Sequence, residues 1–146
     1  MRRLSLEEAG VFHGHLGPYL TLGYLAGELA VSQLDPQSEF DLTVRVELPL
    51  RRPETCFLDG IQCSSRCTLG KLNIKVAESA SGEGISATFL NVKSGEVLEV
   101  AVREEVLERL RSMEGSLSLS EAVDWVLSQP VDLLFRVRRS RGPIRR

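Results

Sequence analysis

Histidine is almost missing from this chain of 146 residues: His13 and His15 are the whole supply, two positions apart. Lysine is scarce too, three against fifteen arginines, and there are three cysteines and one tryptophan. Each shortage excludes something. Cys56, Cys63 and Cys67 fall within twelve residues and are odd in number. A secreted disulfide framework uses an even count spread more widely, so reduced thiols in a cytoplasmic protein fit better. The chain carries neither an iron–sulfur cysteine cluster nor a molybdopterin motif. No stretch approaches 18 consecutive apolar residues, so no membrane-spanning helix is expected. The opening MRRLSLEEAG follows its basic residues at once with acidic ones, unlike a signal peptide. A net charge of -2 argues against a general polyanion binder.

What is present is ordinary in bulk and uneven in detail. With 42% apolar and 26% charged residues, residues 1–146 are read as one domain with a sizeable core. Ser5 with Glu8 three residues on predicts a capped helix over residues 4–9. Pro18 suits a first helical position, and Leu22, Leu25, Ala26, Leu29, Ala30 and Leu34 recur at core-facing helical spacing up to Asp35–Pro36. DLTVRVEL (41–48) alternates as a half-buried strand. A helix over 54–65 follows, then three β-rich runs, LNIKVAES, ISATFLNV and EVLEVAV. Their Gly-containing separators predict consecutive antiparallel hairpins. Helices over 103–112 and 119–128 close the pattern, the second opened by Ser120 with Asp124. The order α-β-α-β-β-β with C-terminal helices implies an α+β domain with a mixed, largely antiparallel sheet.

The two histidines stand in HGHLGP, just before the long helix. In a helix, positions i and i+2 diverge, but Gly14 and Gly17 permit a loop in which both rings face one side. Such a pair is either a two-nitrogen chelate or a surface pair with local hydrogen bonds. The helix start beyond it favours an anion. Cys56 and Cys63 read as small core residues. Cys67, at a turn with Thr68 and Lys71, is expected to be exposed with a lowered thiol pKa. Arg136, Arg138, Arg139, Arg141, Arg145 and Arg146 crowd the last eleven residues. Without interleaved aromatics they suit a solvated or dimer-contacting terminus better than nucleic acid.

FHGHLGPYLTLGYLAGELA resembles the opening signature of the formylmethanofuran dehydrogenase E-subunit (FmdE) family, F-H-G-H-x-C-P-G followed by a small-residue helix. DGIQCSSRCTLGKLNI is similar to that family's second signature, D-A-I-Q leading to G-C-T-x-G-K-G-N. Asp59, Ile61, Gln62, Cys67, Thr68, Gly70, Lys71 and Asn73 fall in register with it. LSQPVDLLFRV resembles its closing segment, where a Phe-x-V strand follows an acidic stretch. The resemblance covers the core domain, without the C-terminal zinc ribbon that some members add. It implies an α+β homodimer with a metal site, commonly zinc, ligated here by His13, His15 and Cys67. Gly17 stands where the family has a second cysteine. Arg66 and Leu72 stand where it has glycine, so the turn around Cys67 is expected to differ.

Three such ligands leave zinc an open fourth position for water, substrate or a small anion beside Lys71. Asp59 and Gln62 are expected to orient a ligand, and Tyr19 to donate a hydrogen bond across the pocket. The resemblance links the chain to one-carbon or molybdopterin redox metabolism and to a redox-enzyme partner. The alternative is a non-catalytic accessory or carrier module, using Cys67 as a thiol beside a vestigial metal pocket.

Overall fold

The computed structural model describes residues 2–142, so Arg145 and Arg146 of the arginine-rich end lie outside the described residues. Helix α1 (Leu6–His13) opens on the expected capping box. Ser5 Oγ accepts the Glu8 N–H at 3.1 Å, and Glu8 accepts the Ser5 N–H at 2.9 Å. The helix runs four residues past its expected end and stops where Gly14 turns left-handed, φ 111°. Helix α2 (Pro18–Leu34) has Pro18 in its first turn and ends at Asp35, as the sequence predicts.

Strand β1 (Leu42–Leu48) is followed by helix α3 (Cys56–Ser65), β2 (Ile74–Glu78), β3 (Ser86–Asn91) and β4 (Glu96–Val102). Helices α4 (Glu104–Met113), α5 (Leu119–Ser128) and α6 (Val131–Leu134) lead to a fifth strand, β5 (Phe135–Arg141). The strand order is β2-β1-β3-β4-β5, with β1 and β2 parallel and the other pairs antiparallel. The α+β class and the mixed sheet are therefore present. Two details differ from expectation. The hairpin predicted between β2 and β3 does not form, because β3 pairs with β1 instead. The alternation of β3 buries Ala87, Phe89 and Asn91, which suits a strand flanked on both sides. In β2 only Ile74 is buried, so it takes the sheet edge, reached from β1 through the α3 crossover. The α5 cap is Ser118 with Glu121, two residues earlier than Ser120, since only that pair closes both capping bonds.

Leu42, Val44, Val46 and Leu48 of β1 and Leu98, Val100 and Val102 of β4 point to one face, where Leu22, Ala26, Ala30 and Leu34 of α2 meet them. On its other side α2 crosses α3 at backbone distance. A Cβ placed on Gly23 would lie 2.0 Å from the Phe57 carbonyl oxygen, and one on Gly60 2.1 Å from that of Leu20. The glycines of the small-residue helix thus bring α3, with Cys56 and Asp59, against the chain segment that carries the histidines. Among the described residues no helix is long and apolar enough to cross a membrane. The arginine-rich segment is β5, where Arg139 pairs with Glu96 at 2.7 Å and Arg138 with Glu99 at 3.4 Å.

The turn after α3 keeps left-handed backbone at both non-glycine positions, Arg66 at φ 68° and Leu72 at φ 57°. Left-handed backbone costs a residue with a Cβ about 1–2 kcal/mol. Leu72 is 81% exposed and contributes little packing in return. Leu72→Gly is therefore expected to stabilise the fold by about 0.5–1 kcal/mol after the entropy penalty of glycine, measurable by urea unfolding.

Candidate metal centre

The C-terminal end of α1, the loop after it and the first residue of α3 converge on one point. His13 is the last residue of α1, and the left-handed Gly14 folds the chain back so that the rings of His13 and His15 stack at 4.7 Å between centroids. The divergence that a helix would impose on i and i+2 is broken at that glycine. Cys56 arrives from the start of α3. One ligand atom from each of His13, His15 and Cys56 lies within 4.8 Å of the others, a spacing that can hold a metal ion.

The two ring nitrogens of His13 have different surroundings. Nδ1 lies 2.5 Å from Asp59 Oδ2, and an ionised carboxylate only accepts, so Nδ1 carries the proton. Nε2 is buried and has no hydrogen-bond partner. A buried, unpartnered imidazole nitrogen is costly, and the lone pair it presents is what a metal ion satisfies. Asp59 is held in turn: Gln62 Nε2 donates to Oδ1 at 3.1 Å, while Gln62 Oε1 accepts the Leu69 N–H at 3.1 Å. The chain of contacts from the turn after α3 through Gln62 and Asp59 to His13 is the carboxylate–histidine support typical of metal sites.

Cys67, expected as the third ligand and as an exposed thiol, is not part of this cluster. It is fully buried beyond the C-terminal end of α3, its Sγ donating to the Leu42 carbonyl at 3.5 Å. Burial pushes its thiol pKa up despite opposing contributions from Ser65 and Lys71. Ten helical residues, about 15 Å of rise, separate the two ends of α3, so one end reaches the histidines and the other does not. Cys56 is half-buried, and burial with the nearby Asp59 charge raises its thiol pKa as well. Cys63 is held by Ala9 and Tyr24, and burial pushes it up to about 11. The signal for Cys56 in the sequence is its place at a helix start, three residues before Asp59. Its seven-residue spacing to Cys63 favours the core reading instead.

The other expected site residues divide between the cluster and the turn. Lys71 Nζ donates to Thr68 Oγ1 at 2.9 Å, and the Thr68 N–H donates to Asn73 Oδ1 at 2.8 Å, so both polar groups act within the turn. Gly17 caps α2 beside the cluster: a Cβ there would lie 3.7 Å from His15 Nε2. Tyr19 is buried, and burial with the charges of Glu54 and Glu114 pushes its phenol up to about 12. With His15, Gly17 and Cys56 it borders a cavity of about 100 Å³ completed by Leu110, Met113, Leu117 and Leu119. Those four residues give no signal in the sequence beyond helical core spacing.

A family model described as FmdE, molybdenum formylmethanofuran dehydrogenase operon, matches residues 12–136. The chain is similar in structure to an FmdE-like protein of the tungsten formylmethanofuran dehydrogenase from Syntrophus aciditrophicus, with a TM-score of 0.62 at 16% sequence identity. That match covers 98% of this chain and 78% of the other, and at such identity it speaks for the fold. No curated protein matches the chain.

Proposed function

The chain belongs to the FmdE family, and from that premise we propose that it is a metal-binding protein, zinc being the ion its donors favour. His13 Nε2, a ring nitrogen of His15 and the Cys56 thiolate are the ligands, with a fourth position open beside Gly17. The observation that carries this reading is the buried, unpartnered His13 Nε2, whose sister nitrogen is fixed by Asp59. Two imidazoles and a thiolate suit zinc, and three protein ligands with an open position are the pattern of catalytic rather than structural sites. When bound, such an ion supplies Lewis acidity at a neutral pH.

The chain's own groups prepare the site. Asp59 selects the tautomer of His13, and Gln62 fixes Asp59. Tyr19, with its raised pKa, keeps its proton at neutral pH and offers a hydrogen-bond donor in the cavity wall. We extend the reading to a cytoplasmic homodimer linked to one-carbon redox metabolism, working beside a redox enzyme rather than carrying its cofactor. The carrier alternative loses its nucleophile, because the Cys67 thiol is enclosed and its pKa raised.

Metal quantification after zinc loading and gel filtration tests the reading. One zinc per chain is expected for the wild type and much less for His13→Ala; a wild type without zinc sinks the proposal. Asp59→Ala removes no donor, yet loss of such a supporting carboxylate weakens metal binding about 10–100-fold, readable by chelator competition. Gly17→Cys is expected to act oppositely. Residue 17 has extended backbone, φ -138° and ψ 172°, which accepts any side chain. A Cβ there meets only ordinary contacts at 3.6–3.9 Å. A fourth donor is expected to raise zinc affinity at least ~10-fold, and unchanged affinity would misplace the open position.

A further inference from the structure

The cavity beside the cluster is more selective than a metal site alone requires. His15 and Cys56 form part of its wall, and the rest is supplied mainly by Leu110, Met113, Leu117 and Leu119 from α4, α5 and their connection. Apart from the cluster residues, Glu114 is the one charged side chain in the lining. A wall of that kind rewards an uncharged, apolar body. Gly17 joins the two regions: the point where its Cβ would stand is 3.7 Å from His15 Nε2 and 3.9 Å from Leu119 Cδ2.

We propose that this cavity binds a small straight-chain carboxylate, its head on the metal at the open position and its apolar tail among Leu110, Met113, Leu117 and Leu119. The inference rests on the metal reading above. Two neutral imidazoles and one thiolate leave a divalent ion with one positive charge, which favours an anionic head. The head also meets the start of α2, where Gly17 supplies no side-chain cap and the first turn holds no acidic residue. The N–H groups and dipole there add to the attraction for an anion. Charge thus belongs at the metal end, away from a wall whose own charge is the carboxylate of Glu114. A cavity of about 100 Å³ compares with the ~150 Å³ known to hold the six carbons of benzene, which leaves room for a tail of about four carbons.

Cobalt substitution of the full chain tests this with the metal as its own reporter. Cobalt(II) bound through Cys56 shows a thiolate charge-transfer band, and a carboxylate entering the open position shifts the visible absorption. Titration with acetate, propionate, butyrate, pentanoate and hexanoate is expected to show affinity rising about fourfold per methylene, the ratio that burial of one CH₂ supplies. The rise stops at pentanoate, where the cavity is full. Leu119 is 53% exposed, so Leu119→Trp can fill the cavity mouth without disturbing the core. That variant is expected to flatten the series while its cobalt spectrum without carboxylate stays as in the wild type. Equal affinity across the series in the wild type overturns the inference and leaves the metal reading standing. A series that rises as steeply in Leu119→Trp overturns the placement of the tail. Absence of any cobalt band overturns both readings.

Discussion

Gly60→Ala is expected to lower the melting temperature by about 10 °C, a loss of about 3 kcal/mol for a chain of this size. Helix propensity alone predicts the opposite sign, because alanine in place of a helical glycine stabilises by about 1 kcal/mol. The structure decides between them. The added Cβ would lie 2.1 Å from the Leu20 carbonyl oxygen, 2.5 Å from the Tyr24 nitrogen and 2.9 Å from the Gly23 carbonyl carbon. All three are backbone atoms of α2, so no rotamer change relieves the overlap and the helices must separate. Separation moves the start of α3, and with it Cys56 and Asp59, away from His13 and His15. Zinc affinity is therefore expected to fall together with stability. Gly70→Ala, where nothing lies within 4 Å, is the control, expected to change stability by under about 0.5 kcal/mol. Thermal unfolding of the two variants checks the contrast, and a melting temperature unchanged in Gly60→Ala would show that the crossing yields cheaply.

The features legible in the sequence are those set by local chemistry. The Ser5–Glu8 capping box, Pro18 at a helix start, the alternation of β1 and the helical spacing in α2 and α4 each depend on a few consecutive residues. Pairing partners depend on the rest of the molecule. The SGEG turn after β2 allows a hairpin as readily as a crossing to the far side of β1. The choice falls to burial: β3 has a full apolar face for the sheet interior, and β2 has only Ile74. The site divides along the same line. HGH stands out through the scarcity of histidine and the freedom of Gly14, and Asp59 and Gln62 follow from the second signature. Which cysteine joins them is a question of which end of α3 faces α1. That orientation comes from the glycine-mediated crossing with α2, which periodicity does not encode.

The assignment of Cys56 rather than Cys67 makes the sharpest prediction. Zinc binding to a four-donor site supplies about 10–16 kcal/mol, or roughly 2.5–4 kcal/mol per donor. Cys56→Ala is accordingly expected to weaken zinc binding at least ~100-fold while leaving metal-free stability close to the wild type, since Cys56 is only half-buried. Cys67→Ala is expected to do the reverse. Its thiol fills the core beside Leu42, so its loss costs about 1 kcal/mol of stability, as for other small core deletions, and the bound zinc stays. Thermal shifts with and without zinc separate the two. At a zinc concentration about 1,000 times the dissociation constant, binding adds about 4 kcal/mol, which for this chain length is a rise of about 10 °C or more. The rise is expected to survive in Cys67→Ala on a lowered baseline and to vanish in Cys56→Ala at the same zinc concentration. The converse pattern would place the thiolate at the far end of α3 and require a different path of the chain from the His loop.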